Sequence, residues 1–312
     1  PESLVLGRRL MRHNEITRRR VLATAAGAFA GLTILGDSPL TAQEENRGQG
    51  RRQPRGFRLG VCDWTIGKRS DPAAFALAKK IGLDGVQVDF GGGPDKDPPL
   101  FDPELQKRYP QELESQQMRI ASLAMGVLNE VAYKSDPRAE KWVDKAIDVA
   151  QAMRQRIILL AFFGNGDLKN DAAGTDAVVS KLKNIAGKAE KANVTLAIES
   201  WLSAEEHIAI LDRVNSPAVQ VYYDVANSHK MGYDIYKEIR TLGKRICQFH
   251  AKDYDDLYGK GSIDFPKVRE AMDEIGYRGW LVMEGVKMPL GVEESCRYDA
   301  EYLRTVFPRR IG

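Results

Sequence analysis

Residues 194–224 read VTLAIESWLSAEEHIAILDRVNSPAVQVYYD, and this stretch holds one complete structural repeat. A β-rich apolar run, 194–199, ends on Glu199. Ser203-Ala204-Glu205-Glu206 then reads as a capping box that opens a helix over 204–214, and a second apolar run, 219–224, ends on Asp224. Both runs are almost continuously apolar, as strands buried on both faces are, and a helix between them is the usual crossover of a parallel pair.

Outward from there the same unit recurs. Strands are expected at 58–63, 85–89, 119–125, 156–162, 194–199, 219–224, 246–251 and 279–284, with helical periodicity at 72–81, 138–153, 176–192, 204–214, 266–275 and 292–306. About 256 residues follow from Phe57 onward, close to the ~250 of one complete (β/α)8 barrel. The fold class is therefore α/β, a single-domain (β/α)8 TIM barrel over 57–312. An open doubly wound sheet is the rival, but GxGxxG after the first strand is missing. Gly91-Gly92-Gly93-Pro94 follows the second strand and reads as a loop over the barrel mouth; Gly259-Lys260-Gly261-Ser262 lacks the order of a phosphate loop.

Four consecutive late strands end on residues that can bind a cation: Glu199 after TLAI, Asp224 after VQVYY, His250 after ICQF and Glu284 after WLVM. Singly, an acid in such a place caps the next helix or pairs at the rim. Jointly, they stand where the C-terminal strand ends of a barrel converge on one centre. Three carboxylates buried together repel unless a cation neutralises them. One divalent metal ion is expected on Glu199, Asp224, His250 and Glu284, and the three oxygen ligands with one imidazole suit Mn²⁺, Mg²⁺, Co²⁺ or Zn²⁺ without separating them.

Residues 1–42 read as an address. Thr17-Arg18-Arg19-Arg20-Val21-Leu22 matches a twin-arginine export pattern, the apolar run 21–35 is too short to span a bilayer, and Leu40-Thr41-Ala42 offers a small-residue cleavage site. Export to the periplasm or medium is expected, with no stable membrane span after processing. Polar residues 43–56 read as a disordered linker. Without the leader the chain holds 40 basic and 40 acidic residues, so no basic surface points to nucleic acid. Cys62, Cys247 and Cys296 have no metal-ligand spacing and an odd number, and read as buried small apolar residues. His207, one turn into its helix, reads as exposed.

The motifs LAIES, YYDVANSHKMGYD, QFHAKD and GKGSIDFPKVREAMDEIGYRGWLVMEG resemble the xylose-isomerase-like barrels, a family that includes ketose 3-epimerases and hydroxypyruvate isomerases. The resemblance runs from Phe57 to about Phe307. It implies that Glu199, Asp224, His250 and Glu284 ligate the metal and that Glu199 and Glu284 are also the catalytic acid/base pair. A carbonyl and a neighbouring hydroxyl on the metal acidify the adjacent C–H, and two carboxylates on opposite sides of an enediolate move the proton. The implied partner is a small-molecule sugar or keto-sugar, and a homo-oligomer is open. Ketose 3-epimerases have a His three residues after the sixth-strand Asp, where this chain has Asn227 with His229 nearby. They have an Arg six residues after the seventh-strand His, where this chain has Asp256. Asn227, His229, Lys252, Trp64 and Trp201 are the candidate substrate contacts, the two tryptophans as an apolar wall or as simple rim packing.

Three functions compete: a sugar isomerase or epimerase; a lyase that expels the aglycone of a 3-keto-glycoside, which export favours; and a non-catalytic, metal-dependent sugar-binding barrel. An apurinic endonuclease needs more histidine ligands than the four His here supply.

Overall fold

The computed structural model describes residues 56–285 and 287–309. The leader over 1–42 and the linker, apart from Gly56, lie outside the described residues. Eight strands, β1 (Arg58–Cys62), β2 (Gly85–Asp89), β3 (Arg119–Met125), β4 (Ile157–Phe162), β5 (Thr195–Ser200), β6 (Val219–Asp224), β7 (Ile246–Ala251) and β8 (Trp280–Met283), run parallel and close into a barrel in sequence order. β8 meets β1 with Arg58 opposite Trp280 and Val61 opposite Met283, so no edge is left open.

The helices are α1 (Ala74–Ile81), α2 (Pro103–Gln116), α3 (Pro137–Ala152), α4 (Ala172–Ala192), α5 (Ala204–Val214), α6 (Val225–Lys230), α7 (Ile235–Leu242), α8 (Phe265–Glu274) and α9 (Val292–Val306). Their starts are chemically marked. Asp102, Asp136, Asp171, Asp234 and Asp264 accept backbone N–H groups as N-caps, and the capping box of Ser203 and Glu206 is present. Among the described residues no helix is long and apolar enough to cross a membrane.

Alternation along each strand divides the buried residues into two sets. Leu196, Ile198, Val221, Tyr223, Phe249, Ala251, Leu281 and Met283 face outward into the layer covered by helices. Ala197, Tyr222 and Val282 face the barrel interior. Two residues further along the same inward rows come Glu199, Asp224 and Glu284, and His250 follows Gln248 in the same way. The period of two thus aims all four at the axis, at the C-terminal mouth.

The opposite end is plugged by Trp280. A Cβ on Gly85 would come within 2.3 Å of the Arg119 carbonyl oxygen and 2.5 Å of the Trp280 ring, so only glycine lets β2 pass that ring.

Two expectations are corrected. His207 is buried, not exposed: it lies on the apolar stripe with Ile210, Leu211 and Val214, its Nδ1 donates to the Ser203 carbonyl (2.9 Å), and its Nε2 accepts from Ser200 Oγ (3.0 Å). Cys62 and Cys296 are buried, but Cys247 is only partly so, because it sits near the start of β7.

Candidate metal centre

Glu199, Asp224, His250 and Glu284 each offer a ligand atom, and these atoms all lie within 4.8 Å of one another. Glu199, Asp224 and His250 are buried; Glu284, one residue past β8, is partly exposed. Asp224 is held by its own helix start: Oδ1 accepts from the backbone N–H groups of Ala226 and Asn227, both at 2.8 Å. Its other oxygen, Oδ2, is buried with no hydrogen-bond partner, although the Lys252 and His250 nitrogens stand 3.7 Å away. A buried acceptor left open is costly.

His250 is wedged between two environments. Nδ1 faces the carboxylates, 3.0 Å from Glu199 Oε1, 3.7 Å from Asp224 Oδ2 and 3.6 Å from Glu284 Oε2. Nε2 donates to Gln87 Oε1 at 2.7 Å. Glu284 is anchored by both oxygens: Trp64 Nε1 donates to Oε1 (3.0 Å) and Lys252 Nζ to Oε2 (2.7 Å). Asn227 Nδ2 donates to Glu199 Oε1 (3.3 Å), and Tyr254 O–H donates to Asn227 Oδ1 (2.6 Å).

The electrostatics are uneven. Burial, helped by Glu284 and Glu199 and opposed by Lys252, pushes the Asp224 carboxyl up to about 7. Burial would raise Glu284 as well, but Lys252 and His250 override it and hold that carboxyl down to about 2. Burial also works against the Lys252 charge, yet Asp224 and Glu284 keep the ammonium protonated well beyond the usual lysine range. Burial, with Glu284 and Glu199 adding to it, pushes the Cys62 thiol well above its ordinary range.

These residues fit a divalent cation. Three carboxylates against one ammonium leave two excess negative charges, and the open Asp224 Oδ2 and the Glu199-facing Nδ1 are the donor atoms such an ion takes.

The other candidates separate. Asn227, Lys252 and Trp64 touch the cluster. Trp201 packs at the rim, edge-on to Phe163 at 4.9 Å. His229 is exposed and joins none of the cluster's hydrogen bonds. Gln87, Cys62 and Tyr254 reach the cluster or its partners without having been singled out. For Gln87 a signal existed: it is the polar residue between Val86 and Val88 on a strand otherwise apolar up to Asp89.

A model of the xylose isomerase-like TIM barrel family matches residues 75–306. The chain belongs to that family. A 2-epi-5-epi-valiolone 7-phosphate 2-epimerase of an Actinoplanes species is 26% identical over 200 residues, covering 63% of this chain and 72% of the relative. Further epimerase relatives are matched over only 44% and 53% of their own lengths. In fold, a D-psicose 3-epimerase from Clostridium cellulolyticum H10, solved with D-tagatose, is similar at a TM-score of 0.69 and 17% identity, covering 80% of this chain and 99% of that one. A 3-keto-D-glucoside 4-epimerase from E. coli is similar at 0.67 and 13%, with 80% and 99% covered.

Proposed function

We propose that this xylose isomerase-like barrel is a divalent-metal-dependent isomerase or epimerase of sugars or sugar-like ketones, working by proton abstraction next to a carbonyl. The observation that carries the reading is the convergence of four ligand atoms within 4.8 Å around an unpartnered, buried Asp224 oxygen. The epimerase names of its relatives support the reaction class.

Glu199, Asp224, His250 and Glu284 hold the ion, and a bound divalent cation supplies Lewis acidity to a substrate carbonyl. The protein's own groups do the rest. Glu199, steadied at Oε1 by Asn227, removes a proton from the carbon beside the carbonyl. Glu284, just past β8 and three strands round the barrel from β5, serves the other face, and Lys252 holds its Oε2 and keeps the carboxyl ionised. Trp64, two residues past β1, donates to the other oxygen of the same carboxylate and fixes its orientation.

The test is deuterium incorporation. Metal-loaded protein is incubated in heavy water with ketoses, inositol ketones and 3-keto-glycosides, and each sugar is weighed by mass spectrometry. Uptake with unchanged composition supports the proposal; binding without uptake on every sugar leaves a binding barrel and removes the enzyme.

A 3-keto-glycoside substrate, ending in epimerisation or in loss of the aglycone, is the second reading. It is favoured by Asp256, exposed and accepting from the Leu257 backbone N–H, in the place of an arginine that would grip a free ketose, and by the likeness to the 3-keto-D-glucoside 4-epimerase. An unsaturated keto-sugar product identifies the lyase outcome. Export belongs to the same proposal: replacing Arg18, Arg19 and Arg20 with lysine should retain a fused reporter in the cytoplasm.

A further inference from the structure

Behind His250 lies a buried polar chain that the proposed chemistry does not use. Gln87 on β2 is fully buried; its Oε1 faces His250 Nε2 at 2.7 Å and its Nε2 donates to Ser122 Oγ on β3 at 3.0 Å. Ser122 Oγ also accepts from Gln248 Nε2 at 3.2 Å, and Cys62 Sγ donates to Gln87 Oε1 at 3.2 Å. Gln87 on β2 is three strands round the barrel from β7, so this contact spans part of the barrel interior.

We infer that Gln87 is a positioning residue that fixes the tautomer of His250 and thereby makes Nδ1 the metal-ligating nitrogen. A carbonyl oxygen can only accept, so Gln87 Oε1 requires the hydrogen on Nε2. Glu199 Oε1, 3.0 Å from Nδ1, likewise only accepts, so without an ion each ring nitrogen carries a hydrogen; a cation among Glu199, Asp224 and Glu284 would displace the one on Nδ1, while Gln87 keeps the one on Nε2. Ser122 holds the amide in that sense by accepting from its NH2, and the Cys62 thiol adds a second donor to the same oxygen. With the amide turned round, its NH2 would face Nε2, the hydrogen would move to Nδ1, and the nitrogen aimed at the carboxylates could not ligate. Partners of this kind orient metal-bound histidines and set their basicity. The inference rests on the proposed metal reading for its consequence, but not for the hydrogen bond itself.

Two measurements test it on the whole protein. Calorimetric titration with Mn²⁺ should show Gln87→Leu binding about 10- to 100-fold more weakly than the parent, with Gln87→Glu, which keeps an acceptor at the same place, within a few-fold. Circular dichroism of each variant separates this from loss of the fold. Nitrogen-15 NMR of histidine-labelled protein, with and without Zn²⁺, should show a slowly exchanging Nε2–H on His250 that disappears in Gln87→Leu. Equal Mn²⁺ affinity of Gln87→Leu and parent, or a hydrogen on Nδ1 and none on Nε2, overturns the inference. If the parent binds no Mn²⁺, the metal reading fails, and the Nε2–H signal still decides what Gln87 does.

Discussion

Lys252 Nζ donates to Glu284 Oε2 across 2.7 Å while standing 3.7 Å from Asp224 Oδ2. One ammonium thus serves two carboxylates in a place where little water reaches it, since Lys252 is only 8% exposed. Removing one partner of a buried pair leaves the other charge uncompensated. Lys252→Met should therefore destabilise the metal-free protein by roughly 3 kcal/mol, and saturating Mn²⁺ should recover much of the loss. Urea melts with chelator and with Mn²⁺ check this; equal loss in both conditions would mean that the lysine packs rather than neutralises.

Metal removal has its own signature. An ion held at a hundred times its dissociation constant stabilises by about 2.7 kcal/mol, which in a domain of this size is roughly 5–10 °C of Tm. Scanning calorimetry before and after exhaustive chelation should show that drop, and Asp224→Asn should show a much smaller one. No drop in the parent would remove the cation from the site.

The two glutamates can be separated by rate. Glu199→Gln and Glu284→Gln should each lower deuterium incorporation into a responsive sugar by about 10²- to 10⁴-fold, measured at Mn²⁺ concentrations that saturate each variant. Full exchange in either variant takes that residue out of proton transfer.

His207 predicts a pH dependence remote from the reaction. Burial depresses its pKa to about 4 from an ordinary 6.5, so between those values the unfolded chain binds a proton that the folded chain refuses. Stability attributable to His207 is intact above pH 6.5 and falls as the pH drops toward 4. From pH 7.5 to 4.5 the loss is roughly 2–3 kcal/mol at 1.36 kcal/mol per unit. His207→Gln should lose correspondingly less between the same two pH values in urea melts. An unchanged difference would contradict the buried neutral imidazole.

The barrel was readable because buried parallel strands are apolar runs, so a terminal Glu, Asp or His stands out against them; β2, β3, β6 and β7 fall where the runs begin and end. The helices α2, α6 and α7 were less visible. α2 fully buries only Tyr109, its stripe thinned to Leu105, Tyr109 and Leu113 and interrupted by Pro110, while α6 and α7 are six and eight residues long, too short for periodicity to accumulate. The candidate ligands shared a position at successive strand ends, whereas Tyr254 sits in a loop whose path no local pattern dictates. His207 was misjudged from its distance to the helix start, although its spacing to Ile210, Leu211 and Val214 placed it on the inward stripe.

The Trp64 bond to Glu284 ties a residue two past the end of β1 to the residue after β8. During synthesis these two ends of the barrel emerge at opposite times, because the indole and its acceptor are 220 residues apart. On the proposed metal reading, a chain stopped before Glu284 lacks one of the four carboxylate and imidazole groups that would hold the ion. The contact between Trp64 and Glu284 can therefore form only after the eighth strand has been made, and it marks closure of the ring rather than any earlier stage.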